Sequence, residues 1–153
     1  MPVSNHYYGA ADSDVARSAL EDVGPTLPVA ISLSEVHIRL LTESAQPIPA
    51  AITGLALVDT GAATCMVDEG VMRALNIPVF GRTPHIGATG AADLPTYPAS
   101  LSFPGTPLPN VTFFDFAATE LASLGLIAII GRNVLTNFVL VYNGPGGHVS
   151  LAY

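Results

Sequence analysis

From Pro28 onward the chain reads as short apolar runs divided by turn residues, the punctuation of a β-rich domain. Val36, Ile38 and Leu40 alternate with His37, Arg39 and Leu41 at period two, which predicts a half-buried strand. Residues 44–49 supply a turn, and residues 52–58 are apolar on both faces, as a central strand should be. Further strands are expected over residues 96–103, 110–116, 126–130, 138–142 and 148–153. The last two form a hairpin across Asn143-Gly144-Pro145-Gly146-Gly147. Helical signals are few. One helix fits residues 14–23, ended by Gly24-Pro25, and a second fits residues 68–75, with Asp68 and Glu69 where the helix dipole favours negative charge. The expected class is therefore all-β with one or two short helices.

Residues 1–27 are smaller and more polar than the rest. They are expected to form an N-terminal extension: a mobile arm, a helix laid on the domain, or a propeptide removed by self-cleavage. Residues 28–153 form the domain proper, and a chain of 153 residues fits one such unit, burying roughly 68–70% of its unfolded surface.

Half the residues are apolar and 11% are charged, which excludes the composition of a disordered chain. The longest nearly unbroken apolar stretch, residues 121–130, is interrupted by Ser123 and Gly125 and falls short of the ~20 residues of a bilayer span, so it reads as a buried strand. The N-terminus has no basic segment followed by an apolar run, so a cytoplasmic protein without membrane partners is expected. Cys65 is the single cysteine, which excludes an internal disulfide and a thiolate metal cluster. His6, His37, His85 and His148 lack metal-ligand spacing, so no metal site is expected. A net charge of −7, with five arginines and no lysine, argues against nucleic acid as a partner.

The chemistry concentrates at residues 55–67, LALVDTGAATCMV, where an apolar strand runs into Asp59-Thr60-Gly61. Such a tripeptide arises by chance in only a few per cent of chains this long, roughly, at ordinary residue frequencies. Ile129-Ile130-Gly131-Arg132-Asn133 follows much later, and the glycine-punctuated His85-Ile86-Gly87-Ala88-Thr89-Gly90-Ala91-Ala92 lies between. Over roughly residues 28–142 the chain resembles the retropepsin-like aspartic proteases, single-domain dimeric enzymes whose two signatures match these Asp-Thr-Gly-Ala and Ile-Ile-Gly-Arg-Asn blocks. The resemblance implies the closed β-barrel of the acid proteases. It also implies an aspartic endopeptidase in which Asp59 is the catalytic carboxylate, and with one Asp-Thr-Gly per chain the enzyme is a homodimer.

In that family the threonine, here Thr60, braces the paired loops across the dimer axis, and Gly61 offers its carbonyl to bound peptide. Aspartic proteases are themselves the reference case of two carboxyls about 3 Å apart that share one proton. One member takes a proton from the attacking water while the other donates to the scissile carbonyl, with no cofactor required. Ala62 brings no side-chain donor to the carboxylates, which implies an optimum less acidic than that of pepsin-like enzymes. Residues 86–92 resemble the family's flap, with Gly87 and Gly90 as hinges. Ile86, Gly87, Ala88 and Gly90, together with Ala62 and Ile129, are the expected substrate contacts.

Arg132 and Asn133 are expected to stabilise the fold and the dimer, since the family's arginine opens a short C-terminal helix. The position that often supplies its carboxylate partner is Ala63 here, so Arg132 must pair with backbone carbonyls or with Asp68. The C-terminal hairpin is a second departure, and it points to dimerisation through a differently built sheet. Two other functions fit the same residues. One is a non-catalytic peptide-binding or scaffolding module of this fold. The other is a β-barrel subunit whose Asp-Thr-Gly is an ordinary turn.

Overall fold

A computed structural model describes residues 1–11, 13–87 and 90–153. The elements in chain order are β1 (Val3–Tyr7), α1 (Asp14–Val23), β2 (Thr26–Leu33), α2 (Glu35–Glu43), β3 (Ile52–Val58), β4 (Met66–Asp68) and α3 (Glu69–Ala74). They continue with β5 (Gly81–Gly87), β6 (Gly90–Ser102), β7 (Val111–Thr119), β8 (Ala128–Ile130), α4 (Arg132–Leu135), β9 (Val139–Asn143) and β10 (His148–Ala152). Strands hold 43% of the chain and helices 21%, so the fold is mostly β but carries more helix than the one or two short helices expected.

Six strands close a ring in the order β2-β3-β8-β4-β7-β6, because the second half of β2 also pairs with β6, from Ala30 against Ser102 to Leu33 against Ala99, Ala30 and Ile31 keeping their β3 partners. The inward-facing residues of this ring make the core. Val29, Ile31, Val58, Val67, Leu101, Phe116 and Ile130 are all buried there, and each such side chain contributes about 1.5–3 kcal/mol by leaving water. β5 lies outside the ring, attached only to β6. β8 runs parallel to β3 on one side and antiparallel to β4 on the other. The chain therefore leaves β3 at Asp59, loops over the end of β8, and returns beyond it as β4.

Residues 36–41 are a correction: they are helical, within α2, and not a strand. Ser34 caps the helix by accepting from the His37 N–H at 3.4 Å, and Glu35 lies in its first turn. Ile38 and Leu41, three apart, pack on the core while Val36 and Leu40 are exposed. Six residues of alternation are compatible with either period, and the cap together with the one-sided burial decides for the helix. Residues 121–130 are likewise not one strand: Ala122–Leu124 forms a 3-10 turn, Gly125 takes φ +70°, and only Ala128–Ile130 is extended.

Residues 1–27 carry β1 and α1. β1 pairs antiparallel with β10, from Val3 against Ala152 to Tyr7 against His148. α1 is capped by the Ser13 hydroxyl, which accepts from the Ala16 N–H at 3.0 Å, and it ends at Gly24 with φ +70°. It buries Ala16 and Leu20, and it lies so close to the C-terminal hairpin that a Cβ on Gly147 would come within 2.5 Å of the Ala16 side chain. The hairpin itself forms as expected from β9 and β10, and with β1 it makes a second sheet, β1-β10-β9. No helix among the described residues is long and apolar enough to cross a membrane.

Candidate active site

Asp59 sits one residue past β3, and its N–H donates to the Ile130 carbonyl at 3.0 Å, which extends the β3–β8 ladder to the carboxylate. Its Oδ1 accepts from the Gly61 N–H at 2.7 Å, and its carbonyl accepts from the Ala62 N–H at 3.2 Å. The half-buried side chain is thus pinned by its own turn, while Oδ2 has no hydrogen-bond partner among the described residues. A Cβ on Gly61 would sit 3.0 Å from the Asp59 Oδ1, so a side chain there would force the carboxylate to shift by a few tenths of an ångström.

The Asp59 loop is stitched to the chain entering α4. The Arg132 N–H donates to the Ala62 carbonyl at 2.9 Å and the Asn133 N–H to the Ala63 carbonyl at 3.1 Å. In the other direction, the Asn133 Oδ1 accepts from the Cys65 N–H at 2.9 Å, and the Cys65 Sγ accepts from the Gly131 N–H at 3.1 Å. The approach leaves no room for a side chain at Gly131, where a Cβ would fall 2.6 Å from the Thr64 carbonyl carbon and oxygen. Burial pushes the Cys65 thiol up to about 11, so this sulfur stays protonated at neutral pH and serves as packing and acceptor.

The Arg132 guanidinium finds backbone partners, as one of the two expectations for it held. Its Nη1 donates to the Thr60 carbonyl at 2.7 Å and to the Gly61 carbonyl at 2.8 Å. Asp68 is engaged elsewhere. Its buried carboxylate caps α3 by accepting from the Val71 N–H at 3.2 Å, and its other oxygen accepts from the Leu121 and Ala122 N–H groups at 2.8 and 3.0 Å. One lone pair of the Gly61 carbonyl, expected to meet substrate, is therefore already taken by Arg132.

A cleft of about 770 Å³ opens over Asp59. Gly61, Ala62 and Met66 line its floor, and Ile86, Gly87 and His85 line the hairpin side. That hairpin is β5–β6, paired to its tip with Ile86 opposite Ala91 and Gly87 opposite Gly90. Ile86 is 84% exposed, and Gly90 takes φ +123°, a conformation that only glycine adopts freely. Ala88, an expected substrate contact, lies outside the described residues. An exposed ion pair, Arg82 Nε to Asp93 Oδ2 at 2.7 Å, braces the hairpin below its tip.

The structure thus brings Asp59, Gly61, Ala62, Ile86, Gly87 and Arg132 to one cleft. Ile129 is a correction: it is buried on β8 with Leu121 and Leu126, beneath Ala62 and Met66, and supports the cleft floor without lining it. Thr60 lies on the other side of its loop, in a shallow depression shared with Arg132, Leu135, Thr136 and Leu140. Thr83 and Pro84 also line the cleft. Their only signal in the sequence is their place just before the glycine-punctuated segment. Among the described residues that line the cleft, Asp59 is the only carboxylate. No three His, Cys, Asp or Glu side chains among the described residues converge closely enough to hold a metal ion. Comparison of the sequence with models of protein families and with curated proteins finds no match to either.

Proposed function

We propose that this chain is an aspartic endopeptidase with a retropepsin-like barrel, active as a C2 homodimer that hydrolyses peptide bonds with water held between two copies of Asp59. The observation that supports this reading is a single carboxylate on a tightly bonded turn, one oxygen anchored by the Gly61 N–H, lining a cleft bordered by a glycine-bearing hairpin. A partner of the same kind supplies the second carboxyl.

Two such groups at about 3 Å share one proton. The ionised member takes a proton from water as its oxygen attacks the scissile carbonyl carbon. The protonated member donates to the carbonyl oxygen, so the tetrahedral adduct forms without separated charge. Collapse of the adduct returns a proton to the leaving amine and regenerates the shared-proton pair. Preorganisation comes from the turn itself, since Arg132 and the Gly61 N–H hold the loop before substrate arrives. The Thr60 hydroxyl braces the partner loop, and the β5–β6 hairpin closes over the peptide to exclude water. Met66, Ala62 and Ile86 favour apolar side chains beside the scissile bond.

The test incubates the purified protein with a mixed peptide library from pH 4 to 7, alongside Asp59→Asn. New termini that appear only with the wild type support the proposal, whereas equal product profiles remove it and leave a non-catalytic binding module.

A further inference from the structure

The charges of the cleft run against those of the chain. Overall, 12 acidic side chains outnumber five arginines and the net charge is −7. Among the described residues that line the cleft the balance reverses, with Asp59 as the one acid and Arg132 and His85 as the two bases. The Arg132 guanidinium is committed to the Thr60 and Gly61 carbonyls. His85 is not committed to a carboxylate, since the ion pairs among the described residues are Arg17 with Asp14 and Arg82 with Asp93.

The strand explains how His85 is presented. Along β5, Gly81, Thr83 and His85 are half-buried while Arg82, Pro84 and Ile86 are exposed, and this period of two puts the imidazole on the face turned inward. Gly87, next on that face, brings no side chain over the ring, where a Cβ would lie 3.7 Å from Nε2. Opposite His85 on β6 is Ala92, which is uncharged, and Arg82 and Asp93 neutralise each other at the hairpin surface. The charged groups that share the cleft with His85 are therefore Asp59 and Arg132.

We propose that His85 is a specificity-determining residue: its imidazole receives a carboxylate side chain of the bound peptide, so the enzyme selects chains that carry Asp or Glu on the residue facing the hairpin. This rests on the endopeptidase reading and names the chemistry of its substrates. A polypeptide lying extended between floor and roof turns alternate side chains to each. The floor offers Ala62 and Met66 to apolar side chains, and the roof offers a cation. At pH 5 an imidazole is ordinarily charged and a peptide carboxylate is largely ionised. The acidic surface elsewhere repels such a peptide, which leaves the cleft as the place that attracts it.

The experiment has two arms, each using one mixed peptide library. In the first, wild type, His85→Gln and His85→Lys digest the library at pH 5, and the residues around each cleaved bond are read by mass spectrometry. In the second, the intact library passes over immobilised Asp59→Asn protein, with and without His85→Gln or His85→Lys, from pH 5 to 8. Asp and Glu should be enriched about fivefold at one position beside the bonds that the wild type cleaves, and likewise in the peptides that Asp59→Asn retains. H85Q should abolish the enrichment in both arms. On the column it should fade as pH rises toward 8 with His85 present, and persist in H85K, whose charge does not titrate there. Enrichment that is absent, or that survives H85Q, overturns the inference. Asp59-dependent cleavage without acidic enrichment sinks it and leaves the protease reading standing. His85-dependent retention of acidic peptides without cleavage does the reverse, and a library neither cleaved nor retained removes both.

Discussion

The floor and the roof of the cleft are built on opposite principles. Below, the Asp59 turn and the entry to α4 exchange backbone and side-chain hydrogen bonds in both directions, with the Arg132 guanidinium bridging two carbonyls and Gly131 in contact with Thr64. Above, the β5–β6 hairpin stands outside the closed ring, held by β6 alone and by one exposed ion pair. Under the proposed function, a carboxylate that meets its twin at hydrogen-bond distance tolerates little displacement, whereas a cover that admits a polypeptide has to move, so the contrast would put rigidity where protons are transferred and movement where substrate enters.

The floor should break first. Gly131→Ala forces a Cβ against the Thr64 carbonyl at 2.6 Å and is expected to lower stability by about 3 kcal/mol or more, read as a fall in thermal unfolding midpoint with concurrent loss of cleavage. A variant that unfolds like the wild type would mean that the two segments are not in contact. Asn133→Ala strands the Cys65 N–H and should cost about 1–3 kcal/mol in the same measurement.

Arg132→Lys distinguishes a brace from a simple charge. An ammonium does not reproduce the guanidinium's reach to both the Thr60 and Gly61 carbonyls. Cleavage kcat should fall about tenfold or more while stability shifts by less than about 1 kcal/mol, since Arg132 is exposed in the single chain. Unchanged kcat would show that the carbonyl contacts do not position Asp59.

The roof should respond in KM and hardly in stability. Arg82→Ala removes a solvent-exposed pair worth about 0.2–1 kcal/mol, so the unfolding midpoint should barely move while KM rises severalfold. A large stability loss would show that the hairpin is part of the rigid frame.

Much of this division was legible in the sequence, and the reasons are local. The end of α1 follows from Gly24-Pro25, the Asp59 turn from Asp-Thr-Gly after an apolar strand, and the C-terminal hairpin from its glycine-rich turn. α2 is hidden in the sequence because Val36, Ile38 and Leu40 satisfy period two, while its N-cap Ser34 has no acidic residue at the third position to mark a helix start. β1 was not anticipated, since Val3–Tyr7 mixes polar and aromatic residues and becomes a strand only by pairing with β10. Closure of the ring by β2 on β6 joins residues about seventy positions apart, for which no nearby signal exists. In the site, Arg132 was expected to need a partner, but backbone carbonyls carry no sequence signature, and neither does the Cys65 sulfur as acceptor for Gly131.

The smallest effect concerns that sulfur. The folded thiol keeps its proton up to about 11, against an ordinary value of 9.0. Between those values the folded state holds more protons than the unfolded one, so this contribution to stability is complete below pH 9 and declines as pH rises toward 11. Removal of the thiol by Cys65→Ala should flatten the alkaline decline in unfolding free energy. Alkylation of native protein at pH 8 should be slow.

The central claim is that each active centre takes one carboxyl from each of two chains, and subunit mixing reads this directly. Wild type and Asp59→Asn are combined in equal amounts at fixed total concentration, allowed to exchange subunits, and assayed for cleavage. If catalysis needs two intact copies, only about a quarter of the dimers are competent, and activity should settle near a quarter of that of pure wild type at the same total concentration. Activity near one half, linear in the fraction of wild type, would mean that each chain acts alone and would contradict the account.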